Sequence, residues 1–154
     1  MRILETLSWP EIGAAIGGEA VGAARTAARG ASIDTRTLEP GDIFFALRGE
    51  RVDGHRHVGE AFARGAAASI VRDRSALPPD SFGFVVSSVE AALQALGALA
   101  RARSSALFVA ITGSAGKTTA KDFTAALLRA RGPVLATAGN LNNHLGVPLT
   151  LARL

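Results

Sequence analysis

Short apolar runs separated by turns dominate the first 86 residues of the chain. Four of these runs predict short strands, at 31–34, 43–47, 67–71 and 84–86. The run at 43–47 is apolar throughout, which is typical of a strand buried on both faces of a sheet. A Pro-Gly-Asp turn precedes this run, and a Pro-Pro loop separates the last two.

Two helices are predicted among these strands. Ser8 and Glu11 have the spacing of a capping box, so a helix should follow and end at the glycine pair 17–18. A second helix should begin at 53–54 and end at Gly65, since apolar side chains recur at helical spacing at Val58, Ala61 and Phe62. The alternation of strand and helix predicts a small α/β domain over residues 1–86.

A second domain is predicted over residues 87–154. Ser87 and Glu90 again have capping-box spacing, and the following helix should bury one face formed by Val89, Leu93, Leu96 and Ala100. The run at 107–111 is continuously apolar. We expect it to be a central parallel strand covered on both faces.

The next residues have the composition of a phosphate-binding loop. Residues 112–119 have the sequence TGSAGKTT, and a helix with Phe123, Ala126, Leu127 and Ala130 is predicted after them. Gly113 and Gly116 would let backbone amides turn towards phosphate oxygens at the start of that helix. Lys117 would neutralise the β- and γ-phosphates of a nucleoside triphosphate, and the Thr118 hydroxyl would ligate Mg²⁺.

The match is to a shortened form of this loop. The common pattern requires glycine at position 111, where this chain has Ile111. The alternative interpretation is an ordinary strand-to-helix turn that contains Gly-Lys-Thr-Thr. The predicted strand before the loop and the predicted helix after it favour nucleotide binding.

Composition excludes several other classes of protein. The formal charge is +4, but the arginines are scattered singly and only Lys117 and Lys121 are lysines, so we expect no nucleic-acid partner. The chain has no cysteine, which excludes disulfides and thiolate chemistry. We expect a cytoplasmic protein with no membrane span. His55 and His57 lack acidic or cysteine partners at ligand spacing, so helix initiation at 53–55 is favoured over a metal site.

Three segments together resemble the Mur ligases, a family that shares its shortened ATP loop with the folylpolyglutamate synthetases. They are TGSAGKTT at 112–119, AGNLNNHLGVPLTL at 138–151, and SIDTRTLEPGDIFFALRGERVDGH at 32–55. The resemblance implies a small amino-terminal uridine-binding domain followed by the start of a P-loop ATPase domain with a parallel sheet. It covers almost the whole chain.

The resemblance also implies roles for individual residues. ATP would bind at Gly113, Ser114, Ala115, Gly116, Lys117, Thr118 and Thr119. The uridine end of a UDP-linked substrate would contact Ser32, Asp34, Thr35 and Arg36, although the family usually has serine at the position of Thr35. The muramoyl part would face Asn140, Asn142 and Asn143, whose amides can both donate and accept hydrogen bonds. Without the resemblance, three asparagines near two glycines would indicate only a polar turn.

The implied reaction is the ATP-dependent joining of D-alanyl-D-alanine to UDP-N-acetylmuramoyl-tripeptide through an acyl phosphate. Two alternatives stay open: a ligase that adds the third residue to the dipeptide precursor, and a non-catalytic module that binds a UDP-sugar or nucleotide. Because family members continue well beyond the equivalent of Leu154, we expect this polypeptide alone to be inactive and to expose an open sheet edge. The full-length enzyme is expected to be a monomer.

Overall fold

A five-stranded mixed sheet forms the centre of the molecule. The computed structural model describes residues 3–49, 52–139, 141 and 143–154. The strands are β1 (Glu19–Val21), β2 (Gly30–Ser32), β3 (Asp42–Phe45), β4 (Ala68–Val71) and β5 (Gly83–Val85), in the spatial order β1-β5-β4-β3-β2. Strands β2 to β5 are parallel, and β1 lies antiparallel to β5 at one edge. The four predicted strands are therefore confirmed, each within two residues.

Within the described ranges, five α-helices accompany the sheet: α1 (Trp9–Ile16), α2 (Val58–Ala63), α3 (Val89–Arg103), α4 (Lys117–Arg129) and α5 (Gly146–Leu151). Short 3₁₀ turns lie at Ile3–Thr6, Thr35–Thr37, Gly54–His57 and Arg74–Ala76. Ser8 and Glu11 form the predicted capping box of α1, which ends at Gly17. The cap of α3 is Ser88 and not Ser87, since the Ser88 hydroxyl accepts the backbone amide of Ala91 three residues on.

The alternation of side chains along β3 divides the core into two layers. Ile43 and Phe45 point to the face covered by α1, α3 and α5, whereas Phe44 points to the face covered by α2. The predicted apolar face of α3 lies in the first layer, with Val89, Leu93, Leu96 and Ala100 all buried. The molecule is thus an α/β protein, as predicted, and its helices lie on both faces of the sheet.

Helix α3 packs into the same hydrophobic core as the strands of the sheet. It packs against α1 and α5, and α5 contributes the buried Leu149 to the same layer. The predicted division into domains 1–86 and 87–154 stays a prediction, but α3 shares a hydrophobic core with the residues before it. No helix in the described ranges is both long and apolar enough to cross a bilayer.

The prediction of a strand at 107–111 is wrong. The segment has no regular secondary structure, and Leu107 is 87% exposed. A strand needs a neighbour for its backbone hydrogen bonds, and in the described residues all five strands of the sheet lie before residue 86. Phe108 instead contacts the guanidinium of Arg101, whose Cζ atom lies 5.2 Å from the ring centroid.

Candidate nucleotide and substrate site

The carboxyl ends of the parallel strands meet at one edge of the sheet. Residues 33–36 follow β2 at this edge, residues 46–49 follow β3, and Arg72 follows β4. Ligands of open α/β sheets bind outside the carboxyl ends of strands. The segment predicted to contact uridine therefore lies at the edge where such a ligand is expected.

Ser32 and Asp34 build the turn after β2. Ser32 is 1% exposed, and its hydroxyl donates to the carbonyl of Asp34 at 2.9 Å and accepts the Asp34 amide at 3.2 Å. Asp34 caps the following 3₁₀ turn by accepting the amide of Arg36 at 2.9 Å. The Ser32 hydroxyl is thus committed to the turn, and the more exposed Asp34 and Arg36 form its outer surface.

Arg36 and Asp34 form a bidentate ion pair on that surface. The Nε atom of Arg36 donates to Asp34 Oδ1 at 2.9 Å, and the Nη2 atom donates to Asp34 Oδ2 at 2.6 Å. The hydrogen bonds from the guanidinium, followed by the one from the Arg36 amide, lower the pKa of Asp34 to about 2. Asp34 is therefore ionised throughout the physiological pH range.

Thr35 points away from this pair and into the protein. Thr35 is buried, and the interaction of its side chain with Glu60 of α2 is the main reason that the pKa of Glu60 is lowered. Glu60 also accepts from Arg64 at 3.0 Å. This contact was not predicted, because nothing in the sequence relates position 35 to position 60.

His55 joins two loops of the same edge. Its Nδ1 atom lies 2.8 Å from Asp53 Oδ1, and its Nε2 atom accepts the backbone amide of Arg72 at 3.0 Å. Since the amide is a donor, the neutral ring has its proton on Nδ1 and donates it to Asp53. Asp53 also accepts the amide of His55 and caps the 3₁₀ turn, which confirms helix initiation at 53–55.

The phosphate-loop residues lie in an exposed loop that leads into α4. Gly116 has φ +74°, a left-handed conformation that favours glycine, and α4 begins at the next residue. Among the described residues no side chain caps α4, so the amides of its first turn are available to an anionic ligand. The Lys117 ammonium folds back over the loop and donates to the carbonyl of Gly113 at 2.5 Å.

The asparagine segment is described only in part. Asn140 and Asn142 lie outside the described residues. The Oδ1 atom of Asn143 accepts the amides of Leu145 at 3.1 Å and Gly146 at 2.8 Å, at the start of α5. Asn143 is exposed, and its Nδ2 group can donate to a ligand. Both sequence interpretations, a turn and a ligand contact, are compatible with this geometry.

The donor set fits a magnesium ion that arrives with a nucleotide. In the described ranges, no group of three or more His, Cys, Asp or Glu could hold a metal by itself. Mg²⁺ commonly takes one or two protein oxygens and completes its shell with water and phosphate oxygens. The exposed Thr118 hydroxyl in the first turn of α4 suits that arrangement.

The fold and the loop define the class first: an α/β protein with a phosphate-loop motif. Comparison with known families then gives the assignment. The family model described as "Mur ligase family, catalytic domain" matches residues 28–104, half of the chain, and "Mur ligase middle domain" matches residues 111–154. The chain belongs to the Mur ligase family.

Curated relatives are named UDP-N-acetylmuramoyl-tripeptide--D-alanyl-D-alanine ligase. The Escherichia coli (strain K12) protein is 47% identical over 121 residues, which cover 79% of this chain and 26% of that protein. The Treponema pallidum (strain Nichols) protein is 38% identical over 157 residues, which cover 94% of this chain and 34% of that protein. This chain therefore spans about a quarter to a third of the length of these relatives.

Solved structures agree with this assignment. The UDP-N-acetylmuramoylalanyl-D-glutamyl-2,6-diaminopimelate--D-alanyl-D-alanyl ligase from Acinetobacter baumannii matches with TM-score 0.80 and 38% identity, covering 93% of this chain and 32% of that one. The MurF ligase of Thermotoga maritima in complex with ADP matches with TM-score 0.67 and 34% identity, covering 80% and 29%. The confirmed α/β fold is thus shared with Mur ligases.

Proposed function

We propose that this chain provides the uridine-binding domain and the phosphate loop of an ATP-dependent ligase that joins D-alanyl-D-alanine to UDP-N-acetylmuramoyl-tripeptide. The observation that supports this most strongly is the uncapped start of α4 after TGSAGKTT, in a chain whose relatives are named for that reaction. Such a ligase would use ATP and a UDP-linked precursor, so we expect it to act in the cytoplasm.

The phosphate loop would hold the triphosphate of ATP. The first-turn amides of α4 would bind phosphate oxygens, and Lys117 would exchange the Gly113 carbonyl for the β- and γ-phosphates. Mg²⁺ held by Thr118 would neutralise charge on the transferred phosphoryl group. These groups act by positioning and electrostatic stabilisation, so no protein nucleophile is required.

The turn after β2 would receive the uridine end of the UDP-linked substrate. Ser32, with its hydroxyl bonded to the Asp34 backbone, would set the shape of the turn. Asp34 and Arg36 would present charged groups at its surface. Asn143, together with Asn140 and Asn142, would contact the muramoyl part through amide groups.

Calorimetric titration of the purified chain tests both sites. We expect binding of Mg-ATP and, independently, of UDP-N-acetylmuramoyl-tripeptide, with free UDP as a competitor for the second ligand only. Lys117→Ala should weaken Mg-ATP binding by at least about tenfold, the loss of one charge-assisted contact. Arg129→Ala removes a charge from the far end of the same helix and should have no such effect. Absence of binding by both ligands would contradict the proposal.

A further inference from the structure

Lysine is used at only two positions of this chain. Of 17 basic residues, Lys117 and Lys121 are the only lysines, and all others are arginine. Both lysines lie on α4, four residues apart and therefore on the same side of the helix. The first belongs to the phosphate loop. In a chain that otherwise uses arginine throughout, the second suggests a position where an ammonium group is required.

The structure shows a contact that suits an ammonium group. Lys121 Nζ donates to the backbone carbonyl of Thr137 at 2.7 Å, and its side chain is only 21% exposed. The same atom lies 3.3 Å from Asp122 Oδ1, but the Asp122 side chain is 66% exposed. An ammonium is a compact donor on a flexible stem, whereas the planar guanidinium fork of arginine matches paired acceptors better than one carbonyl.

This hydrogen bond connects two parts of the proposed ligand site. Lys121 lies one turn beyond the phosphate loop, and Thr137 lies in the segment 134–139 that leads to Asn143. Apolar packing of α4 is sparse on the opposite side, since Phe123 is 68% and Leu127 is 74% exposed. The hydrogen bond from Lys121 to the Thr137 carbonyl therefore contributes strongly to holding α4 in place relative to segment 134–139.

We propose that Lys121 is a positioning residue that couples the phosphate loop to segment 134–139, so that nucleotide binding at the loop is transmitted to the residues ahead of Asn143. The inference rests on the proposed function, because it requires a nucleotide at residues 113–119. The Lys121 ammonium contacts the Thr137 carbonyl and the Asp122 carboxylate, so a ligand need not contact it. It acts through the Thr137 carbonyl, which fixes the path of the segment.

Nuclear magnetic resonance of the 154-residue chain tests the coupling. In the wild type, Mg-ATP should shift the amide signals of residues 113–119 and also those of Ala138 and Gly139. In Lys121→Met, which keeps the aliphatic stem, the loop signals should still shift while the response of Ala138 and Gly139 is lost. Arg129→Met, the matched loss of a charge on the same helix, should respond as the wild type does.

The outcomes separate this inference from the proposed function. No shift of residues 113–119 in the wild type would overturn both. Loop shifts with an unchanged response of Ala138 and Gly139 in Lys121→Met would overturn only the role of Lys121.

A second measurement uses the wild type and therefore does not depend on how the variant folds. Labelling the two lysines with ¹⁵N gives two side-chain ammonium signals. The Lys121 signal should exchange slowly with water and show coupling to the Thr137 carbonyl carbon, and a rapidly exchanging signal without that coupling would contradict the proposal.

Discussion

The Nε2 atom of His55 accepts the backbone amide of Arg72 at 3.0 Å and thereby joins the loop after β3 to the end of β4. The Nδ1 atom of the same ring is held by Asp53, which also caps the turn in which His55 lies. The two loops lie at the sheet edge proposed to receive the uridine end of the substrate. His55 therefore stabilises the shape of that edge without needing to bind a ligand.

Replacement of His55 should destabilise the fold measurably. His55→Phe keeps the ring but removes the acceptor, leaving the Arg72 amide without its partner, at a cost of about 1–3 kcal/mol in the free energy of unfolding. Urea denaturation followed by circular dichroism measures the change. His57→Phe is the matched control, since His57 is half-exposed and forms only a longer contact with Glu60 at 3.3 Å. Equal effects of the two variants would contradict this role of His55.

The Asp34 carboxylate should contribute stability that depends on pH. Its pKa is lowered to about 2 in the folded protein, below the ordinary value of 3.8. A lowered pKa means that the contribution is present above pH 3.8 and is lost as pH falls through about 2. Asparagine keeps an oxygen that can cap the turn but loses the charge that pairs with Arg36, so Asp34→Asn should cost up to about 1 kcal/mol at pH 7 and little near pH 2.

Urea denaturation at pH 7 and at pH 2 measures this difference. Asp80→Asn is the control, because Asp80 is exposed and has φ +60°, a conformation that asparagine also tolerates. A cost of Asp34→Asn that is the same at both pH values would exclude an ionised Asp34 as its cause.

The contact between α3 and α5 should tolerate no side chain at Gly97. A Cβ atom there would lie 2.7 Å from both the Cα and the Cβ atom of Pro148. Gly97→Ala should destabilise the protein by about 1–3 kcal/mol, although alanine favours helices. Gly59→Ala in α2 meets nothing within 4 Å and should stabilise by about 0.5–1 kcal/mol. Thermal unfolding measures the melting temperatures of the two variants. If Gly97→Ala raised the melting temperature as Gly59→Ala is expected to do, the α3–α5 packing described above would be wrong.

The Thr118 hydroxyl should make nucleotide affinity depend on magnesium. Thr118→Val keeps the shape of the side chain but removes the oxygen ligand, so added Mg²⁺ should improve ATP binding far less than in the wild type. Thr124→Val, a matched change farther along α4, should leave the magnesium dependence intact. Titration of a fluorescent ATP analogue with and without Mg²⁺ measures both. An unchanged magnesium effect in Thr118→Val would remove Thr118 from the proposed metal site.

Local patterns predicted most of the first 103 residues because those elements find their packing partners within this chain. The capping box at Ser8, the buried run at 43–47 and the apolar stripe of α3 each specify structure through neighbours within this chain. The edge strand β1 was missed, since Glu19–Val21 is only three residues long and has no periodicity. The prediction of a strand at 107–111 was wrong although the segment has the apolar pattern of a buried strand. No described strand lies beside it to complete its backbone hydrogen bonds.

The candidate site was predicted unevenly for a similar reason. The phosphate loop is contiguous in sequence, so spacing alone indicated its chemistry. The contacts of Thr35 with Glu60, of His55 with Arg72 and of Lys121 with Thr137 join distant positions. They depend on how the strands are ordered and how the loops fold, which no local motif specifies.

Product formation tests the central claim most directly. The complete ligase of which we propose this chain to be a part would be purified and incubated with ATP, Mg²⁺, UDP-N-acetylmuramoyl-tripeptide and D-alanyl-D-alanine, and the UDP-linked products would be analysed by mass spectrometry. The proposal predicts a pentapeptide product that requires all four components and that falls by at least about 100-fold in Lys117→Ala, the usual effect of removing an electrostatic stabiliser of the transition state. No pentapeptide, or elongation of the dipeptide precursor by one residue instead, would contradict the proposal.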